Sequence, residues 1–317
     1  MMLAFRVHVP WASRYILPCD ISPRRHIIIM HLELSVLAAF GAMLCWGFGD
    51  FFIQRTTRRV GDVECLAFIG SLGALGLLPF VLQEIPALLD ARNMALMLLL
   101  GGVTFIAAVF NFEALKRGKL SVVEMILEIE LPITVILGFM FFGESLTLAQ
   151  LAAIGAVLAG IALIAAGSRP HKGLGVLEKG ALLAAIAAVG MGFVNFLTAA
   201  GSKQISPLMA IWAPWLIVAV VSFVALAGRD GIGRTMGNAA KFKWLILATA
   251  IFDTAAWLFF AFAVLDSMLS ITIAITESYP AVAMLLGLMI NRESIARHQY
   301  AGAGMALAAS VALGFLI

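Results

Sequence analysis

Ten apolar stretches, each long enough to form a transmembrane helix, follow one another along this chain of 317 residues. A helix needs about 20 apolar residues to cross the ~30 Å hydrocarbon core of a bilayer. The sequence therefore predicts an all-α integral membrane protein with ten transmembrane helices. These spans 1 to 10 are expected near residues 34–54, 62–82, 93–114, 119–142, 147–167, 178–199, 208–227, 243–264, 267–290 and 296–317.

The composition excludes a water-soluble domain of this size. Hydrophobic residues make up 62% of the chain, charged residues make up 12%, and the mean hydropathy is +1.04, far from the values of soluble domains. The three cysteines and five histidines show neither a disulfide pattern nor the spacing of metal ligands. We therefore predict no metal site, no cofactor and no catalytic residue.

The first five spans recur in the second half of the chain. The segment Trp46–Phe51 matches Met191–Phe196, with two phenylalanines and a glycine repeated and with Asp50 answered by Asn195. Because each copy has an odd number of spans, the second copy must cross the membrane in the opposite direction. Inverted repeats of this kind form the midplane substrate site of many secondary transporters.

A second series of matches supports the repeat. Pro132 precedes Gly143-Glu144-Ser145, just as Pro280 precedes Arg292-Glu293-Ser294. The sequence thus predicts two inverted five-helix repeats, at residues 30–168 and 169–317.

Residues 1–29 are predicted to form an N-terminal extension outside the repeats. They contain four arginines and three prolines and lack the apolar core and cleavage site of a signal peptide. This pattern indicates either a disordered tail or a chain that naturally starts at Met30.

Most of the 21 basic residues lie in the loops that follow spans 1, 3, 5, 7 and 9. The positive-inside rule places such loops in the cytoplasm, which would put both termini on the other side. When the loops are counted from the start of each repeat, the basic loops are the first and third in repeat 1 but the second and fourth in repeat 2. Two copies that cross the membrane in opposite directions require this shift of the basic loops by one position.

Acidic residues behave differently, because several lie within the spans. A charged carboxylate at the bilayer centre costs about 2.5–3.5 kcal/mol on insertion scales, so such residues usually line a wet cavity or a proton path. The sequence therefore predicts an acidic cavity. The intramembrane acids are Asp50, Glu113, Glu124, Glu128, Glu130, Asp253 and Glu277.

Span 4 carries the densest group of these acids. Glu124 and Glu128 are four residues apart and share one helix face, whereas Glu130 points roughly the other way. A proline follows the acids in spans 4 and 9 and is expected to kink each helix. An alternative is that the carboxyls lie at a wet helix start. The predicted site residues of these two spans are the kink prolines Pro132 and Pro280 and the carboxylates Glu124, Glu128 and Glu277.

Other spans contribute further candidates for the substrate or proton pathway. Asp50 and Asn195 occupy matched positions and are predicted to form a gating or binding pair, although each could also crosslink helices. Asp253 has no acidic counterpart in span 3, which indicates a role in substrate specificity. Three aromatic residues are candidates for stacking on a ligand, with packing as the alternative: Trp46, Trp257 and Tyr279.

Spans 5 and 10 carry small residues at every fourth position and no ionisable residue within their apolar cores. Small residues at this spacing let helices approach closely, which predicts a scaffold contact or a homodimer contact. Glu144 and Glu293 precede these spans and are interpreted as helix-start carboxylates that bind unpaired backbone N–H groups.

The chain resembles the drug/metabolite transporter superfamily, specifically permeases of the EamA type with two five-span EamA units. The resemblance covers about residues 34–317 and rests on Trp46-Gly47, on Ala114–Gly118 leading into the Pro132 helix, and on Gly143–Thr147. The second repeat echoes it at Pro280 and Glu293. The resemblance implies a transporter of small molecules in the plasma (inner) membrane.

These observations together predict a secondary-active permease, most simply a proton-coupled exporter of a small cationic or zwitterionic metabolite. Its predicted partners are the lipid bilayer, a small-molecule substrate and protons, with a homodimer as an option and no nucleic acid. Alternatives are a lipid-linked sugar flippase or nucleotide-sugar carrier, a passive channel, and a membrane enzyme. The carrier of an anionic nucleotide would need basic residues in its cavity, and the enzyme would need a nucleophile and a base within the spans.

Overall fold

The computed structural model describes residues 23–117, 123, 126–165, 174–228, 231–282 and 297–316. Among these residues the chain is helical and forms no β-strand. Helix α1 begins at Pro23, inside the segment that the sequence predicts to be an extension. The predicted site residue Glu124 lies outside the described residues.

In the described part of the chain, ten helices follow the order of the predicted spans, and we number them accordingly. A 3-10 turn at Ile85–Leu89 joins α2 to α3, and a surface helix at Ile232–Lys241 joins α7 to α8. The helices are α1 Pro23–Val60, α2 Asp62–Val81, α3 Ala91–Arg117, α4 Glu130–Leu137 with a π-helical turn at Gly138–Phe142, α5 Leu148–Ala165, α6 Leu174–Gln204, α7 Pro207–Ala227, α8 Lys243–Asp266, α9 Leu269–Thr276 and α10 Arg297–Phe315.

Six of the described helices are long and apolar enough to cross a membrane: α1, α2, α3, α6, α7 and α8. Shorter apolar helices occupy Glu130–Phe142, Leu148–Leu163 and Tyr300–Phe315. Within the described residues, helix length therefore supports six of the ten predicted spans. The chain is a multi-pass membrane protein.

The outer surface of the helix bundle is apolar, whereas polar side chains lie inside. Leu37, Leu75 and Phe80 are each about two-thirds exposed, which would be costly in water but is favourable against lipid. Inside the bundle, the hydroxyls of Thr56 and Thr249 share a hydrogen bond of 2.8 Å between α1 and α8.

The two repeats pack on each other through matched helices. Helix α1 packs on α8 and α3 packs on α6, while α2 packs on α7, α4 on α9 and α5 on α10. If each helix is replaced by its counterpart in the other repeat, the α1–α8 pair becomes the α6–α3 pair. The other three pairs stay the same. The helix contacts of the two halves of the chain are therefore related to each other.

The small residues of α5 and α10 are used within the chain. A Cβ atom on Gly160 would lie 2.7 Å from the carbonyl oxygen of Gly302 and 2.7 Å from the backbone nitrogen of Ala306. The two backbones therefore meet where only glycine fits, as close packing of helices in membranes requires. This contact accounts for part of the small-residue pattern without a second copy of the chain.

Short connections join neighbouring helices, and side chains beside them form hydrogen bonds with the other repeat. Gly61 joins α1 to α2 with a φ of 109°, a conformation that favours glycine. Close to it, the carboxylate of Glu64 accepts a hydrogen bond from Arg234 of the surface helix. At the matched connection between α6 and α7, Ser206 caps α7 and donates a hydrogen bond to Glu84.

Candidate functional site

Spans 4 and 9 are interrupted at matched positions. A turn at Glu128–Ile129 precedes α4, and a turn at Glu277–Ser278 follows α9. Pro132 is the third residue of α4, in the first helical turn, where the missing N–H costs no helical hydrogen bond. Each interruption thus lies just before its proline, and each contains a glutamate.

These interruptions border a cavity between the repeats with a volume of about 60 Å³. Four carboxyl groups line it from different elements: Asp50 of α1, Glu130 of α4, Asp253 of α8 and Glu277 at the end of α9. Asp50, Asp253 and Glu277 are each no more than 8% exposed. The cavity is small compared with the ~300–1,000 Å³ of pockets that hold drug-sized ligands, so a metabolite would require the site to open.

The four carboxyls interact with one another and with a tyrosine. Glu130 and Glu277 form a side-chain hydrogen bond, and the Tyr279 hydroxyl is hydrogen-bonded to Asp50. Asp50 is also close enough to Glu130, Asp253 and Glu277 to interact with them electrostatically. Because an ionised carboxylate only accepts hydrogen bonds, the bond between Glu130 and Glu277 requires a proton on one of the two groups.

Aromatic residues also line the cavity. The rings of Trp46 and Trp257 meet edge to face, with centroids 5.1 Å apart, a favourable geometry for aromatic pairs. Trp215 and Phe112 also line the cavity. An apolar recess beside Pro214 continues from the cavity and shares Trp215 and Trp257 with it.

Several buried polar atoms at the cavity have no hydrogen-bond partner among the described residues. They include Asn111 Oδ1, Trp215 Nε1 and Asp253 Oδ2. Buried polar groups usually find a partner, so each orphan group calls for an explanation such as a ligand or water. These three groups offer one donor and two acceptors to a bound molecule.

The structure brings most of the predicted site residues together. Those that line the cavity are Trp46, Asp50, Asn195, Asp253, Trp257, Glu277 and Tyr279. Asn195 also reaches α4, where its Nδ2 lies 3.5 Å from Thr134 Oγ1. Asp50 and Asn195, predicted as a pair from the repeat, thus border the same space.

Glu128 is placed differently from the prediction. It is buried and close enough to Glu277 to interact electrostatically, but Glu130 rather than Glu128 lines the cavity. The prediction assumed one continuous helix, whereas the turn at Glu128–Ile129 changes the direction of the residues that follow it. Pro132 was the sequence signal for an interruption.

Sequence reasoning missed two further cavity residues. Asn111 and Trp215 line the cavity, although neither is a predicted site residue and span 7 contains no acid. Trp215 follows Pro214 within α7, and a proline inside a long apolar helix is the signal that could have drawn attention to it.

Basic residues lie away from this cavity, and no Lys, Arg or His is among the described residues that line it. A separate polar vestibule of about 440 Å³ lies at the ends of α1 and α3 and is lined in part by Arg59, Asp62, Glu64, Lys116 and Arg234. Lys116 Nζ lies 3.4 Å from Asp62 and 3.1 Å from Glu113. Lys116 and Arg234 therefore pair with acids outside the cavity.

No metal-binding cluster of three or more His, Cys, Asp or Glu residues occurs within the part of the chain that the structure describes.

Comparison with known proteins identifies the family. The EamA-like transporter family model matches residues 33–166 and again residues 178–315, so each predicted repeat corresponds to one match. A solved structure titled "Crystal structure of protein" has 16% sequence identity and a TM-score of 0.66, covering 89% of this chain and 99% of its own. That likeness concerns the fold alone. No curated protein matches the sequence significantly. With two family matches that span nearly the whole chain, this multi-pass membrane protein belongs to the EamA-like transporter family.

Proposed function

We propose that this transporter is a secondary-active, proton-coupled exporter of a small cationic or zwitterionic metabolite in the plasma (inner) membrane. The observation that carries the proposal is the hydrogen-bonded pair of Glu130 and Glu277 in a cavity lined by four carboxyl groups. The pair must hold a proton to form its hydrogen bond.

Proton coupling follows from competition for the same negative charge. A cationic group that enters the cavity would be attracted to the carboxylates, and its arrival would favour loss of the shared proton. A proton that returns would reduce the negative charge of the pair and weaken binding of the cation. Linkage makes this effect reciprocal, so the transporter would exchange substrate for protons.

The lining of the cavity also limits the chemistry of the substrate. The carboxyls suit an ammonium group, and the tryptophans suit an apolar or cationic surface. The unpaired indole N–H of Trp215 offers a hydrogen bond to an oxygen of the substrate. A nucleotide sugar or another polyanion would face four acids without a compensating base, which disfavours the flippase and nucleotide-sugar carrier alternatives.

The architecture supports alternating access. We propose that spans 4, 5, 9 and 10 complete a ten-helix bundle with the six long apolar helices, as two inverted repeats that rock around the central cavity. This arrangement is supported by the helix contacts, because the α1–α8 contact of one repeat has its counterpart in the α6–α3 contact of the other. A passive channel would instead carry substrate without saturation and only down its gradient.

The test is substrate-driven proton release from purified protein in weakly buffered detergent solution. Pools of amines, amino acids, sugars and nucleotides are added, and a pH-sensitive dye records protons released. We expect release by a subset of amines or amino acids, loss of that release in Glu277→Gln, and unchanged release in Asp90→Asn. Asp90 is an exposed acid that caps α3 and whose asparagine variant keeps the cap. Release by none of the pools, or equal release by Glu277→Gln, would refute the proposal.

A further inference from the structure

Glu144 forms a contact that the cavity itself does not explain. Its carboxylate accepts hydrogen bonds from the backbone N–H groups of Leu269 and Ser270, at 2.5 and 3.0 Å, and from the Ser270 hydroxyl at 2.5 Å. Glu144 is only 6% exposed. It therefore caps the start of α9, a helix of the other repeat, with a charge that suits the positive end of the helix dipole.

The sequence interpretation assigned Glu144 to the start of its own helix, and this assignment is wrong. Helix α5 has a separate cap, in which Gln150 Oε1 accepts from the Thr147 N–H at 2.8 Å and Thr147 Oγ1 accepts from the Gln150 N–H at 3.3 Å. These reciprocal bonds form a capping box. Glu144 is therefore not needed to cap α5, and its carboxylate caps α9 instead.

Helix α9 links this cap to the cavity. Leu269 and Glu277 are eight residues apart, which corresponds to about 12 Å of helix, and every residue of α9 is buried. Glu277 at the far end is hydrogen-bonded to Glu130 of α4. Carboxyls of the first repeat thus hold α9 at both ends.

The spacing within α4 matches that of α9. Glu130 and Gly138 are also eight residues apart, and a Cβ atom on Gly138 would lie 2.7 Å from Glu144 Oε2 and 3.2 Å from Ser270 Oγ. The chain then ends its π-helical turn at Gly143, which has a φ of 66° and brings Glu144 back toward Gly138. Two antiparallel segments of equal length therefore connect the cap to the carboxyl pair.

We infer that Glu144 is a positioning residue for the carboxyl pair: by capping α9, it fixes how closely Glu277 approaches Glu130. This inference rests on the proposed function for the role of the pair, but the positioning itself is independent of the substrate. Loss of the cap would let α9 shift along α4, and the distance between the two carboxyls would change.

The residue types of the cap are duplicated in the repeat. Leu120-Ser121, Gly287 and Glu293 stand 149 positions from Leu269-Ser270, Gly138 and Glu144 in the sequence. All four of these counterparts lie outside the described residues. Their recurrence indicates that the combination belongs to the repeat unit rather than to one loop.

Disulfide crosslinking measures the position of α9 directly. Glu130 and Glu277 are replaced by cysteine in a background without native cysteines, and the rate of catalysed oxidation is followed. We expect rapid crosslinking that slows in Glu144→Gln and in Gly138→Ala by roughly fivefold, the factor that corresponds to the ~1 kcal/mol of a typical N-cap. The matched control is Ser206→Ala, which removes the cap of α7 and is expected to leave the rate unchanged.

A second measurement reports proton binding in the native carboxyl pair. Dicyclohexylcarbodiimide adds to protonated carboxyls in apolar surroundings and leaves a stable acylurea that mass spectrometry locates. We expect Glu277 to be labelled in the natural protein, and the pH dependence of labelling to move in Glu144→Gln but not in Ser206→Ala. Glu277→Gln serves as the unlabelled control.

The outcomes separate the two claims. Equal crosslinking rates in Glu144→Gln, Gly138→Ala and the unmodified cysteine pair would overturn the positioning role. Absence of carbodiimide labelling in the natural protein at every pH would instead contradict the proposed proton site and leave the crosslinking result as the test of position. If Glu144→Gln fails to fold, Ser270→Ala removes one of the cap donors and serves in both measurements.

Discussion

Asp50 and Asn195 stand 145 positions apart in the sequence and line the same cavity from the first helix of each repeat. Asp50 is hydrogen-bonded to Tyr279, whereas Asn195 approaches Thr134. The same structural position therefore carries a carboxyl group in one repeat and a neutral amide in the other. The four carboxyls of the cavity are still divided equally, because Asp50 and Glu130 belong to the first repeat and Asp253 and Glu277 to the second.

The first prediction exchanges these two side chains. Asp50→Asn is expected to reduce substrate-driven proton release, because it removes one of four carboxyls from the cavity. Combining it with Asn195→Asp is expected to restore part of that release, since the charge returns to the same cavity. No recovery in the double variant, measured with the pH-sensitive dye, would show that the two positions are not interchangeable.

A second prediction distinguishes two neighbouring glutamates of span 4. Glu130→Gln is expected to abolish uphill accumulation of substrate in proteoliposomes with an imposed pH gradient, because Glu130 lines the cavity and bonds Glu277. Glu128→Gln is expected to retain accumulation with a changed pH dependence, because Glu128 interacts electrostatically with Glu277 but is not among the residues that line the cavity. The reverse order of effects would mean that the proton path runs through Glu128.

A third prediction concerns the packing of α5 on α10. Gly160→Ala is expected to lower the melting temperature by several degrees, since overpacking of a tight contact costs about 1–3 kcal/mol. Gly155→Ala in the same helix is the control, because Gly155 is exposed and a Cβ atom there meets nothing within 4 Å. Thermal unfolding in detergent measures both, and equal melting temperatures would argue against the close approach at Gly160.

A fourth prediction addresses the topology. The ion pair of Glu64 and Arg234 brings the loop between α1 and α2 to the same membrane face as the surface helix. Single cysteines at Arg59 and Gly233 are therefore expected to share one pattern of labelling by a membrane-impermeant thiol reagent on intact cells. Gly61 is unsuitable for this purpose because its positive φ strains any other residue.

Protection of both cysteines until the membrane is opened would place this face in the cytoplasm, as the basic loops predict. Labelling of both from outside would reverse the orientation and keep the repeat. Labelling of only one would contradict an even number of spans between the two positions.

The turn in span 4 explains why Glu130, rather than Glu128, lines the cavity. The expectation that Glu130 points away from the face of Glu128 holds only while the helix is continuous, and the turn at Glu128–Ile129 ends that continuity. The prediction of Glu277 rests on its position within the span and on Pro280, so it does not depend on a continuous helix. The difference therefore lies in the geometry assumed for one short segment.

The sequence by itself determined the medium, the repeat and the acidic character of the cavity. Apolar length, duplicated residues and carboxyls within apolar spans are properties of local sequence, and each has a direct physical consequence in a bilayer. Asp50, Asn195 and Asp253 could be proposed on that basis alone.

Only the tertiary structure decided which side chains meet. Trp215 and Asn111 reach the cavity because α7 and α3 pack across the repeats, and Glu144 caps α9 rather than its own helix. Contacts between residues more than a hundred positions apart depend on how helices pack and where they are interrupted. The helical pattern of a sequence predicts on which face of its helix a side chain lies. It does not predict which other helix packs against that face.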